Sequence, residues 1–256
     1  MSSTFNDLLA QINYRTELAG HLGIEREFFL VDKFGQPVPR SPEFLGRMSD
    51  PQWGCELSAC QVEHRTPPLN SLDQVRQVLT ESQLCGQEVA QIMGCRMVAC
   101  EVGPEDMDLT VYKYNQRYRK IAAKLPLATL RAASRVTGTH FHIGVRNLDQ
   151  AVALHNLLAQ YVGQFIELGN HGPERMKLYE VVAPNWRSPI YESPEHFAQV
   201  IQDMGHASNL RNCWHLVRIS IHGTVEVRAF GVTEDMDEIM AWVSYLSEVA
   251  GDFLRL

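Results

Sequence analysis

Three short stretches of the chain place ionisable residues two apart among apolar neighbours. They are Glu25 and Glu27 in Gly23-Ile-Glu-Arg-Glu-Phe-Phe-Leu, His140 and His142 in Gly138-Thr-His-Phe-His-Ile-Gly, and Glu226 with Arg228 in Thr224-Val-Glu-Val-Arg. On a strand, residues i and i+2 project from one face, so each pair is held side by side. Two carboxylates so held repel and lose hydration unless the face is wet or a cation lies between them, and a hard divalent metal removes the conflict. Simple exposure would account for one such pair. Three strands with the same pattern point instead to one polar, cation-competent face, with Phe28, Phe141, Ile143, Val225 and Val227 covering the opposite one. Glu56 and Glu63 add two more carboxylates, but their odd spacing requires a bend or bulge to bring them to that face.

Five carboxylates with one or two histidines, and no matching cysteine set, favour magnesium or manganese over structural zinc. Such clusters serve phosphoryl transfer, in which metals bridge nucleotide phosphates and an arginine holds an anion bidentately. The sequence has neither Gly-x-x-x-x-Gly-Lys-Ser/Thr nor Gly-x-Gly-x-x-Gly, so a nucleotide would bind through the metals. Gly-x-Ser-x-Gly is also absent, and nothing supports a serine nucleophile.

The elements that must position these residues follow from periodicity. A first helix is expected near residues 4–18, then strands at 22–31, 55–65 and 96–102, with a long amphipathic helix from the N-cap Ser71 between the last two. A helix over 112–125 ends at Pro126, a strand covers 136–145, and a helix opened by Asn147 closes near Gly169. Residues 170–194, with four prolines, read as an irregular loop. A helix near 195–207, a hairpin of 214–221 and 224–230 about His222-Gly223, and a last helix carrying Ile239, Trp242, Leu246 and Phe253 complete the chain. Strands joined both by helices and by a hairpin predict an α+β protein with a mainly antiparallel sheet.

Composition agrees with that frame. The 256 residues are 45% hydrophobic and 21% charged with a net charge of −7, which excludes disorder and predicts a single catalytic domain over 1–256. With no basic stripe apparent, nucleic acid is not an expected partner. Met1 to Gln11 lacks leader features and no apolar run reaches about 18 residues, so a soluble, cytoplasmic protein without a membrane partner is expected. Six cysteines without a Cys-x-x-Cys pair read as reduced, buried structural thiols.

Taken in order, Gly23-Ile-Glu-Arg-Glu-Phe, Glu56 with Gln61-Val-Glu, Gly138-Thr-His-Phe-His-Ile-Gly, and Val217-Arg with Gly223-Thr-Val-Glu-Val-Arg resemble the glutamate–cysteine ligase type 2, or carboxylate–amine ligase, family of the glutamine-synthetase-like superfamily. The resemblance implies a curved antiparallel sheet with helices on its outer face. It also implies an ATP-dependent ligase in which a carboxylate takes the γ-phosphoryl group and the acyl phosphate is captured by an amine. Carried over, Glu27, Glu56 and Glu63 look like ligands of one magnesium, and Glu25, His140 and Glu226 like ligands of a second that bridges the ATP phosphates. His142 and Arg228 look like contacts to the transferring phosphoryl group or the substrate carboxylate, and Arg218 like a phosphate contact. Where relatives carry an Ala-Leu-Ser-x-x-Ser-Pro-like stretch, this chain has Phe165-Ile-Glu-Leu-Gly-Asn-His-Gly-Pro, and it is shorter than they are. A true glutamate–cysteine ligase, a reduced member acting on another acid and amine, and a non-catalytic ATP- and metal-binding or regulatory member all stay open, as does homo-oligomerisation.

Overall fold

The structure, a computed structural model, describes residues 3–256. Its frame is one sheet built around β1 (Leu22–Val31), with strand order β2 (Trp53–Cys55), β3 (Gln61–Arg65), β1, β5 (Thr139–Gly144), β7 (Thr224–Phe230), β6 (Val217–Ser220), and with β4 (Arg96–Val98) also on β1. Every one of these pairings is antiparallel. β1 is long enough to share one edge between two partners, β5 along Leu22–Arg26 and β4 along Phe29–Val31, while β3 runs along the other edge. The fold is therefore the expected α+β arrangement, a curved and mainly antiparallel sheet with helices on its outer face.

Alternation sorts the two faces. Ile24, Phe141, Ile143, Val225 and Val227 enter the main core, and Phe28 a second core beneath α2 (Ser41–Arg47) and α3 (Leu72–Ile92). The main core is closed by α6 (Leu148–Gln160), α7 (Val162–Gly169), α9 (Pro194–Asp203) and α10 (Met236–Ala250), through residues such as Leu154, Phe165, Phe197 and Trp242. Arg26 is the exception on the apolar face. It is 1% exposed, stacks 4.8 Å over the Phe28 ring, and donates through Nη2 to Gln83 Oε1 and to the Thr233 carbonyl. Among the described residues, no helix is long and apolar enough to cross a membrane.

Several expectations need correction. The first helix is only α1 (Ser3–Leu9), because the Asn13 amide donates to the Ile221 carbonyl and pulls the chain against the β6–β7 turn. Residues 55–65 are not one strand but the end of β2 and all of β3, reversed between them. The helix predicted from Asn147 to Gly169 breaks at Tyr161 into α6 and α7. The stretch 170–194 contains α8 (Glu174–Val182), anchored by the buried side chains of Arg175 and Tyr179, and α5 (Leu127–Arg135) follows α4 (Gln116–Ala122) without having been anticipated. All six cysteines are unpaired, yet Cys85 and Cys100 are exposed rather than buried.

Candidate active site

The sheet registers bring the polar pairs into one array. Glu25 stands opposite Arg65 of β3 on one side and His140 of β5 on the other, while Glu27 faces Glu63 directly. His142 is opposite Glu226, and Glu226 is opposite Arg218 of β6. Glu56 joins because the chain reverses after β2: Gly54 pairs with Glu63, so Glu56, two residues on, falls on the same face. A hairpin, not a bulge, resolves the odd Glu56–Glu63 spacing. A bulge does occur, but in β7, where Arg228 and Ala229 both lie opposite His140. Every Glu, His and Arg singled out from the sequence lines one cavity of about 270 Å³.

The charges inside this cavity are unevenly balanced. Burial, then the neighbouring Glu56, pushes Glu27 up to about 8. Burial, then Glu25, pushes Glu56 up to about 7, and the same two causes hold Glu63 well above the ordinary carboxyl range. Glu25 behaves oppositely. Burial raises it, but His142 and His140, with oxygen–nitrogen distances of 3.4 and 3.3 Å, pull it well below. Glu226, fully buried, is likewise held low against its burial by Arg218, His142 and Arg228. Arg218 grips it bidentately at 2.7 and 3.0 Å and Arg228 donates to the same carboxylate.

The histidines divide the work. Burial, then Arg228, lowers His140 to about 4, so it stays neutral. Its Nδ1 lies between a donor and an acceptor, 3.4 Å from Arg228 Nη1 and 3.3 Å from Glu25 Oε2. His142 is raised by Glu25 and Glu226 against its burial. Its Nδ1 is 3.0 Å from Thr224 Oγ1, and its buried Nε2 has no hydrogen-bond partner.

Some contributors were missed from sequence. Tyr118 on α4 donates to Glu56 Oε2 at 3.4 Å, a contact across 62 residues that no local pattern signals. Thr224 was legible, being two residues before Glu226 on the same strand face. Arg175, within the stretch 170–194 read as an irregular loop, is instead buried on α8 beneath the site. It is 2% exposed and donates to the carbonyls of Thr137, Arg228 and Ala229, fixing the bulge that aims Arg228.

The donor set fits hard divalent cations. Glu25, Glu27, Glu56 and Glu63 converge with too little positive charge to keep them all ionised, and oxygen-rich sites of this kind suit magnesium or manganese. Glu25, His142 and Glu226 present ligand atoms within 4.8 Å of one another. The resemblance implies His140 in that second set; here His140 sits between Glu25 and Arg228.

Comparison with known proteins agrees with the motifs. The glutamate–cysteine ligase of Natronomonas pharaonis is 28% identical over 258 aligned positions, covering 91% of this chain and 70% of that protein. The glutamate–cysteine ligase of Halobacterium salinarum is 27% identical, covering 93% of this chain and 71% of that protein. The crystal structure of a bifunctional glutathione synthetase from Pasteurella multocida superposes with a TM-score of 0.63 at 14% identity, over 96% of this chain and 40% of that one, a likeness of fold. The profile of glutamate-cysteine ligase family 2 matches residues 21–171, from the start of β1 through α7, and to that family the chain belongs.

Proposed function

We propose that the protein is an ATP- and magnesium-dependent ligase that joins a carboxylate to an amine through an acyl phosphate. The ligase class follows from the family; the nucleotide, the metal and the intermediate are inferred from the site. The observation that carries the reading is the convergence of five glutamates with His140, His142, Arg218 and Arg228 in one cavity. Glu27, Glu56 and Glu63 would hold one magnesium, and Glu25 with a histidine and Glu226 a second. When bound, the metals would neutralise charge on the phosphates and on the attacking carboxylate.

The protein's own groups supply positioning. Arg218 and Arg228 keep Glu226 ionised, and Arg228 is set by Tyr179, whose hydroxyl accepts from its Nε at 3.3 Å. A guanidinium so fixed can hold the substrate carboxylate or the transferring phosphoryl group at little reorganisation cost. His142, whose pKa is raised by the two carboxylates beside it, presents its unpartnered Nε2 to the cavity, where it can meet an incoming phosphate oxygen. In the first step the substrate carboxylate oxygen bonds to the γ-phosphorus and ADP departs. In the second the amine nitrogen bonds to the acyl carbon and phosphate departs.

Purified protein with magnesium, ATP and a panel of acids and amines should release phosphate only when both an acid and an amine are present. Silence across a broad panel would overturn the reading. A second reading, a non-catalytic ATP- and metal-binding module, draws on Glu226 being already occupied by two arginines; tight magnesium–ATP binding without turnover would favour it.

A further inference from the structure

The loop that joins α7 to α8 carries His171, whose ring is held between two carboxylates from distant parts of the chain. Its Nδ1 lies 2.9 Å from Oε1 of Glu101, just beyond β4, and its Nε2 lies 3.0 Å from Oε1 of Glu238 on α10. The His171 amide also donates to both Glu101 oxygens, at 3.1 and 3.3 Å. A neutral imidazole has one N–H, so only the imidazolium can donate to both carboxylates. The hydrogen bond to Glu101, with the charge of Glu238 adding to it, raises the His171 pKa above its ordinary value against the effect of burial. Neighbouring charges on these elements are engaged elsewhere. Glu174 of α8 pairs with Arg135 and Asp237 of α10 with Arg76, Glu234 and Asp235 accept from backbone amides, and Arg175 points inward to backbone carbonyls.

What the bridge holds is the support of the active site. Glu101 rests against Gly231, where a Cβ would come within 2.0 Å of its Oε1, and the Gly231 amide donates to the Gly169 carbonyl at 2.7 Å. Asn170 Nδ2 donates to the Ala229 carbonyl at 2.8 Å, and its Oδ1 accepts from Arg175 Nη1 at 3.1 Å. Arg175 in turn donates to the carbonyls of Thr137, Arg228 and Ala229. The residues flanking His171 thus grip the β7 bulge, from which Arg228 reaches Glu226 in the cavity. An exposed ion pair adds little to stability, so the direction of these contacts, rather than their energy, is what bears on the site.

We propose that His171 is a positioning residue for the reaction: by bridging Glu101 and Glu238 it fixes the α7–α8 junction, so that Asn170 and Arg175 hold the bulge in the form that aims Arg228. Its effect on turnover rests on the ligase reading, in which Arg228 meets the substrate carboxylate or the transferring phosphoryl group. The bridge is complete below the raised pKa of His171 and opens as pH rises through it, when one ring nitrogen turns a lone pair to a carboxylate.

Nuclear magnetic resonance on the full chain, labelled at the arginine nitrogens, tests it, because the Arg228 Nε–H that donates to Tyr179 reports the setting of that side chain. In the parent protein the Arg228 Nε signal should shift in a pH step that shares the midpoint of the His171 ring protons. In His171→Gln the step should vanish, with the signal at the parent's high-pH position throughout; comparing the two removes the titration of the cavity's own groups. Glu238→Gln, which leaves the Glu101 contacts in place, should move the step to lower pH. His171→Arg, which offers two donors at every pH, should hold the signal at the low-pH position. In the phosphate assay His171→Gln should lower kcat about tenfold and leave KM for ATP within roughly twofold, and His171→Arg should restore most of the loss. An Arg228 signal that ignores both the His171 titration and the substitution would overturn the proposal, as would a lowered melting temperature with kcat intact. The resonance is read without turnover, so failure of the ligase reading would show separately, as absent phosphate release by the parent protein.

Discussion

At the scale of single residues, the site is governed by which charges have partners. Glu226 has two arginines and stays ionised; Glu27 has a backbone amide, from Gly138 at 2.8 Å, and the repulsion of Glu56. Glu27→Gln resembles the protonated side chain. In metal-free solution it should melt close to the parent protein at pH 6 and above it at pH 9, while phosphate release falls roughly 100-fold or more. Scanning calorimetry and a phosphate assay check the two halves. Arg175 is the opposite case, a buried cation satisfied by backbone carbonyls. Arg175→Met should cost about 3 kcal/mol or more by stranding those acceptors, read as a lower denaturant midpoint.

At the scale of elements, the two glycines that flank the histidine strand are there for close approach. A Cβ on Gly144 would come within 2.2 Å of the Leu18 carbonyl oxygen, and one on Gly138 within 2.9 Å of the Phe230 oxygen. Backbone cannot yield as a flexible side chain does. Gly144→Ala should therefore destabilise by about 1–3 kcal/mol, measured by urea unfolding. Periodicity made β1, α3 and the β6–β7 hairpin legible, since each carries a complete local signal: ten residues of strand alternation, the Ser71 cap accepting from the Gln74 amide, and Gly223 at a φ of 69°. The reversal between β2 and β3, the break at Tyr161 and α8 were not legible. Their causes are contacts from distant segments, as when the Gly169 carbonyl accepts from the Gly231 amide and carries the chain directly into α8.

At the scale of the whole molecule, the raised carboxyls make stability depend on pH and metal together. Glu27 and Glu56, at about 8 and 7 against an ordinary 4.5, keep protons in the folded state that the unfolded chain has already released. More protons on the folded side means that stability falls as pH rises from 4.5 to 8. Glu25 and Glu226 are shifted down, so their contribution disappears only on acidification below 4.5. Metal-free protein should thus be most stable in mildly acid solution. Magnesium, which binds the ionised groups, should reverse the alkaline loss, raising the melting temperature at pH 8.5 by about 5–10 °C at a hundredfold excess over its dissociation constant. A magnesium increment as large at pH 5.5 would contradict the assignment.

Much of the chemistry was written in the sequence, because alternation along a strand decides which side chains share a face. Glu25 with Glu27, His140 with His142, and Glu226 with Arg228 needed no tertiary information to be paired, nor did the apolar set on the reverse face. Tertiary structure alone decided which strands lie side by side and how their charges offset one another. Cross-strand register sets Glu27 against Glu63 and gives Glu226 to Arg218, and the β7 bulge aims Arg228. Coulomb energy depends on separation in space and on burial, and a linear sequence records neither for residues far apart in the chain.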